Sequence, residues 1–386
     1  MKIILVNIFF YPDTFGGATT VVEENAKILT NMGHKVIVIS LCNRPELAQN
    51  QILKTSHKGI VNLQINANPL NRKEKYIGHK KTTHIIANLI SDIIPDVLHV
   101  HCIQEIGISF LKEIENFSNL YKTKKILSTH DYWWLYENMF LLGKDSKFTT
   151  NTNLKKSTNL LLDDFHIERS KKLNNALKTF DYISTPSDYS TAIHKLNFPA
   201  FDFFTLSNGV NLSNSNCIKK DKSKTVYGFM GGPGDIKGFD IIIEATKNAS
   251  LNNTEIILVK AHESWYEGID LPKIFKVIDR FRQDELDTFY KKIDILLFPS
   301  QWGETFGLAI REALNRKKWV ITTNNGAQEE PITENVNGNI IDIGKKSVAS
   351  LISLFEEYDK NIPVSNSSYN HSYEDQVNQA LNFYDK

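Results

Sequence analysis

Along the first half of the chain, short apolar runs rich in β-branched residues alternate with segments whose apolar positions recur at helical spacing. The runs fall at residues 2–10, 35–41, 96–101, 125–130, 182–187 and 203–207. Such alternation predicts βαβ units and a parallel sheet, whose strands are covered on both faces and so read as continuous apolar stretches. The rhythm returns at 225–230, 255–259, 294–298, 319–322 and 339–343, which predicts a second sheet of the same kind. Between the two series, Ser207-Asn208-Gly209-Val210-Asn211 leads into a polar stretch, Ser213 to Lys224, with Lys219, Lys220, Lys222 and Lys224 and no periodicity. It reads as a linker. A last helix is predicted over Tyr373 to Tyr384, with apolar residues at Val377, Ala380, Leu381 and Tyr384. Parallel sheets bind ligands in crevices at the carboxyl ends of their strands, so two doubly wound domains facing each other would enclose one deep cleft.

Length agrees with this division, since 386 residues exceed what one ordinary core serves. A composition of 41% hydrophobic and 23% charged residues is that of a soluble globular protein, and no stretch approaches the roughly 18 apolar residues of a membrane-spanning helix. A formal net charge of +1 argues against nucleic acid as the main partner. Cys42, Cys102 and Cys217 are widely spaced and odd in number, which fits neither a disulfide framework nor a zinc site and points to a reducing cytoplasm. The run after Lys2, Ile3 to Phe10, imitates the start of a signal peptide; no small-residue cleavage site follows, and a buried first strand explains it better.

The most informative chemistry lies at Glu304-Thr305-Phe306-Gly307-Leu308-Ala309-Ile310-Arg311-Glu312, directly after the strand ending in Phe298-Pro299-Ser300. A helix opening near Phe306 offers unpaired N–H groups and the positive end of its dipole, both suited to phosphate. The two glutamates stand eight residues apart. At 3.6 residues per turn they do not stack on one line and reach different parts of an extended ligand.

This E-x7-E pattern, with F-G-L inside and P-S before it, resembles the retaining glycosyltransferases of family 4, which have the GT-B fold. The resemblance implies an α/β protein of two Rossmann-like domains: an acceptor domain at 1–207 completed by 370–386, whose final helix crosses back, a linker at 208–224, and a nucleotide-sugar domain at 225–369. It implies that Glu304 contacts the transferred sugar, that Thr305, Phe306, Gly307 and Leu308 border sugar and diphosphate, and that Glu312 binds the ribose. Gly16-Gly17, at a strand-to-helix turn, matches the loop that touches the donor diphosphate and borders the acceptor site. His130-Asp131, after the strand ending in Ser128-Thr129, matches a His-Asp pair whose histidine lies near the sugar. Tyr132, Trp133 and Trp134 either stack on a sugar face or belong to the core. His99 and His101 share one face of the preceding strand and are given no catalytic role.

Within Gly231-Gly232-Pro233-Gly234-Asp235-Ile236-Lys237-Gly238, Lys237 matches the family's phosphate-binding lysine, while Gly232 occupies the place of its arginine. Either backbone amides approach the phosphate at Gly232, or Arg280, Arg282 or Arg311 substitutes. The segment Phe281 to Leu286 lies where the family reads the nucleobase, and the base itself stays open between uracil, guanine and thymine. There is no D-x-D triplet, so the expectation is a metal-independent transfer without cofactor, with dipoles and Lys237 holding the leaving diphosphate.

The resemblance further implies a nucleotide sugar as donor and a saccharide acceptor carried on lipid, as in synthesis of a cell-surface polysaccharide such as O-antigen or capsule. Residues 155–178, with Lys155, Lys156, Arg169, Lys171, Lys172 and Lys178 around Leu160, Leu161 and Leu162, read either as a solvated face or as a peripheral contact with an anionic membrane. A sugar-nucleotide 2-epimerase of the same fold, or a non-catalytic sugar-nucleotide-binding partner, are the other readings.

Overall fold

The computed structural model describes every residue except 15, 73, 146, 150–151, 155–156, 158–159, 161, 214–222, 366–367 and 386. Phe15, Lys155, Lys156, Leu161, Cys217, Lys219, Lys220 and Lys222, and with them the centre of the expected linker, lie outside the described residues. The chain separates into two compact units, one of Met1–Met139, Asn153–Gly209 and Tyr373–Lys386, the other of Phe140–Thr152 and Val210–Ser372.

In the first unit, β1 (Lys2–Val6), β2 (Lys35–Cys42), β3 (Ile52–His57), β4 (Ile60–Asn66), β5 (Val97–Val100), β6 (Lys124–Ser128), β7 (Tyr182–Thr185) and β8 (Phe203–Thr205) form one sheet in the order β3-β4-β2-β1-β5-β6-β7-β8. All neighbours are parallel except β3, which runs antiparallel to β4 across a Lys58-Gly59 turn with both residues at positive φ. That hairpin departs from the purely parallel sheet expected above. Its edge strand carries Lys54, Thr55, Ser56 and His57, and polar residues are what an unprotected sheet edge tolerates. On one face of the sheet, Ile3, Leu5, Val36 and Val38 pack against Val22 and Leu29 of helix Gly16–Asn31 and against Val377, Ala380 and Tyr384 of helix Tyr373–Tyr384. Residues two apart on a strand point the same way, which is why alternate positions of β1 and β2 supply this layer.

In the second unit, β9 (Thr225–Phe229), β10 (Thr254–Lys260), β11 (Phe275–Asp279), β12 (Ile295–Phe298), β13 (Trp319–Thr323) and β14 (Gly338–Ile341) form an all-parallel sheet ordered β11-β10-β9-β12-β13-β14. One face is covered by helices Phe239–Asn248 and Lys346–Tyr358 through Ile242, Ala245, Leu351 and Phe355. The other is covered by helix Leu308–Asn315 through Ile310, Ala313 and Leu314. Residues 140–152, placed above in the first domain, cluster with this unit, where the Phe140 ring meets Trp302 edge-on at 4.7 Å.

Strand order reverses between β1 and β5 in the first unit and between β9 and β12 in the second. A reversal splays the two following connections to opposite faces and opens a crevice at the strands' carboxyl ends, where ligands settle.

Candidate active site

At the second unit's reversal, the loop after β9 carries Lys237 and the loop after β12 carries Glu304. Gly238 draws them together. It has φ +77°, and a β-carbon there would lie 2.1 Å from the Pro299 carbonyl oxygen, so only glycine permits this approach. The Gln301 N–H also donates to the Ile236 carbonyl at 2.8 Å.

The result is a convergence on one oxygen. Oε1 of Glu304 accepts from the Lys237 ammonium at 2.7 Å, the Ser300 hydroxyl at 2.6 Å and the Trp302 indole N–H at 2.8 Å. Glu304 is buried, 7% exposed, while the Lys237 side chain keeps 30% of its surface. Lys237 also lies 5.1 Å from the centre of the Trp302 ring, a cation–π distance. Behind them, the Gln328 side-chain oxygen accepts from the Glu304 backbone N–H at 2.9 Å and the Glu304 carbonyl accepts from Ala327 at 2.9 Å. Ser300, Trp302 and Gln328 were not picked out as site residues from sequence, although Ser300 and Trp302 stand within four residues of Glu304.

Helix Leu308–Asn315 opens two residues later than expected. Gly307 is its N-cap, in the left-handed conformation, and as a glycine offers no side chain to cap the first turn. Thr305 and Phe306 are buried in the turn before it, and Leu308 is half-buried. Arg311 braces that turn. Its guanidinium stacks 3.8 Å over the Phe306 ring, donates to the Phe306 carbonyl, and reaches the Glu330 carboxylate at 3.1 Å. Arg311 is 4% exposed and therefore committed to the fold, which removes it as a substitute phosphate cation. Arg282 is exposed and forks onto Asp284 at 2.7 and 3.0 Å, and Arg280 is exposed as well.

Gly232 lies in the same loop after β9 as Lys237. It is buried, with φ +78°, and a β-carbon would meet the Trp265 ring at 2.7 Å. The indole occupies the space a side chain would need, so the family's arginine does not fit at Gly232 unless Trp265 moves. Trp265 lies 33 positions away in the chain, beyond the reach of motif reading.

Glu312, on the helix, is 3% exposed, and its Oε1 has no hydrogen-bond partner. Burial pushes its carboxyl up to about 7, opposed by the positive charge of Arg316 and by Tyr290. Arg316 itself is held by Asp287 at 2.7 Å. That oxygen lacks a donor, and a hydroxyl group would supply one.

At the first unit's reversal, Gly16 and Gly17 are exposed at the start of a 16-residue helix, with nothing within 4 Å of where a Gly16 side chain would sit. His130 and Asp131 follow β6. Nε2 of His130 lies 3.0 Å from Nδ1 of His101, and burial lowers His130 to about 4. Asp131 accepts from Gln104 at 2.5 Å and from the Trp133 N–H at 2.8 Å, and burial pushes it up to about 6. Tyr132 and Trp133 are 0% and 3% exposed, so they are core and offer no ring face to a sugar. Trp133 is packed under the Arg169 guanidinium, which also donates to its carbonyl. Arg169 is thereby 1% exposed and drops out of the basic surface proposed above, as does Leu160 at 4%.

Solved structures with this two-unit α/β architecture include sucrose-phosphate synthase from Thermosynechococcus elongatus, at 13% identity and TM-score 0.67 over 100% of this chain and 98% of that one. Anabaena HepE in complex with UDP-glucose matches at 15% identity and TM-score 0.66, over 99% of each chain. The fold is GT-B. Residues 15–214 match Glycosyltransferase Family 4 and residues 214–370 match Glycosyl transferases group 1. The chain belongs to glycosyltransferase family 4 and is a glycosyltransferase. It is also 26% identical over 352 residues, 86% of this chain and 87% of the relative, to an uncharacterized 42.6 kDa protein in the cps region of Klebsiella pneumoniae.

Two expectations follow. Gly232→Arg forces a non-glycine residue to positive φ and into the Trp265 ring, which lowers stability by roughly 2 kcal/mol or more in urea unfolding and does not create a phosphate grip. For Glu312 the folded-state pKa is raised from 4.5 to about 7. Its contribution to stability is thus full below about pH 4.5 and is lost as pH rises through about 7, a decline of roughly 3 kcal/mol. Unfolding of wild type and Glu312→Gln at pH 5 and pH 8 checks this, the variant showing a flatter profile.

Proposed function

We propose that this glycosyltransferase moves a sugar, with retention, from a nucleoside diphosphate to a hydroxyl of a lipid-linked saccharide during cell-surface polysaccharide synthesis. The observation that carries the reading is the Lys237–Glu304 pair beside the uncapped start of helix Leu308–Asn315, at a strand-order reversal. The relative in a cps region supports the polysaccharide setting. The UDP-glucose held by HepE is that protein's ligand, and for this chain it supports the nucleotide-sugar class only.

In this scheme the donor's diphosphate takes the Lys237 ammonium and the helix N–H groups, both pre-oriented toward negative charge. Lys237 then exchanges one anion for another, and Glu304 turns its freed oxygen to the sugar's hydroxyls. Glu312 receives the ribose hydroxyls that its bare oxygen lacks. The acceptor oxygen bonds to the anomeric carbon on the face from which the diphosphate departs, the carbon–phosphate-oxygen bond breaks, and the leaving phosphate oxygen takes the acceptor's proton. No carboxylate nucleophile and no divalent ion enters the scheme. Gly16-Gly17, His130 and Asp131 serve the first unit's side of the reaction, the glycines bordering diphosphate and acceptor and His130 bordering the transferred sugar.

Glu304→Ala is expected to lower turnover about a hundredfold while the affinity for nucleoside diphosphates, titrated across the uridine, guanosine and thymidine forms, stays within about threefold of wild type. Equal loss of both would end this assignment. Membrane contact is read from a groove of about 400 Å³ lined by Ile77, Ile108, Lys112, Lys171, Lys172 and Ala176 in the first unit. Its three lysines outnumber the Glu115 carboxylate that also lines it, which suits anionic lipid, and salt-sensitive sedimentation with anionic vesicles is the expected result, with no binding at low salt counting against it.

A further inference from the structure

His101 ends β5 as His130 ends β6, and the contact between their rings, Nδ1 of His101 to Nε2 of His130, is 3.0 Å. Burial holds both below the ordinary histidine value of 6.5, so at neutral pH each ring is uncharged and carries one N–H. One proton therefore lies along this contact. Two arrangements satisfy it. In the first, His101 donates from Nδ1 and its Nε2 is a bare lone pair. In the second, His130 donates from Nε2, and the proton of His101 must sit on Nε2.

The surroundings decide between them. Nε2 of His101 is buried and has no hydrogen-bond partner. An orphaned buried N–H is rarer than an under-satisfied acceptor, because a stranded donor forfeits its hydrogen bond to water outright. We infer that His101 is a positioning residue that donates from Nδ1 and thereby holds His130 in the tautomer protonated on Nδ1. His99 packs on the other side of His101. Its ring lies 4.1 Å from that of His101, and its own nitrogens are pinned by the Tyr384 hydroxyl and the Ser128 hydroxyl, each at 2.7 Å. Tyr384 belongs to the last helix, so a ladder of rings runs from that helix to His130. This deepens the reading in which His130 borders the transferred sugar, and rests on it for its meaning: a sugar oxygen that meets His130 at Nδ1 meets a donor.

Long-range proton–nitrogen correlation spectra of the full chain at pH 7 test this, with His130 assigned from its absence in His130→Asn. The expected wild-type signature is a single His130 tautomer protonated on Nδ1. His101→Phe keeps the ring and removes the donor, so His130 should become a mixture of both tautomers. His101→Asn, whose carboxamide N–H can stand near the place of Nδ1, should restore the single form. A wild-type His130 protonated on Nε2 overturns the inference, and so does an unchanged single tautomer in His101→Phe. Should His101→Phe not fold, the wild-type spectrum still decides. The readout needs no donor or acceptor, so its failure and failure of the Glu304→Ala titration are separate events.

Discussion

A single carboxylate oxygen, Oε1 of Glu304, organises the second unit's site. It draws an ammonium, a hydroxyl and an indole N–H into one shell where water scarcely reaches. An ion pair in such a place is tolerated only when its remaining hydrogen-bonding capacity is met, and here Ser300 and Trp302 meet it. The tight backbone approach at Gly238, the indole of Trp302 and the brace of Gln328 are consequences of that need. Because Lys237 is shared, whatever occupies it changes what Glu304 is free to hold, and recognition of two chemical groups becomes coupled through one contact.

The two units use the same topological device with different electrostatics. At the β9–β12 reversal the groups are charged and paired. At the β1–β5 reversal the histidines form a buried row of imidazoles kept uncharged by desolvation, with Asp131 beside them. A charged pair answers to the sign of a neighbouring group. A neutral row of rings presents directional donors and acceptors whose sense is set by which nitrogen bears the proton.

Much of this was legible in the sequence because buried parallel strands announce themselves as apolar runs, and all the runs named above contain strands. What escaped were β3, β4 and β11, the first and last of them sheet edges and β4 the interior strand paired to β3. β3 alternates exposed and half-buried residues and β11 is a mixture of the two with no buried position, so Ile52 to His57 and Phe275 to Asp279 resemble loops as much as strands. Motif residues such as Glu304, Lys237 and Glu312 stood out by spacing, but the partners that define their chemistry did not. The Lys237–Glu304 bond joins residues 67 apart, and the Trp265 roof over Gly232 joins loops following different strands. Tyr132 and Trp133 show the limit from the other side, since an aromatic run after a strand reads the same whether it faces ligand or core.

The first unit's hydrophobic layer is completed by Val377, Ala380 and Tyr384, which are made after the whole of the second unit. During synthesis the amino-terminal sheet must therefore wait, with Ile3, Leu5, Val36 and Val38 incompletely covered, while some 160 intervening residues emerge. A nascent chain of this kind exposes apolar surface on the ribosome for the time needed to translate them, about ten to thirty seconds.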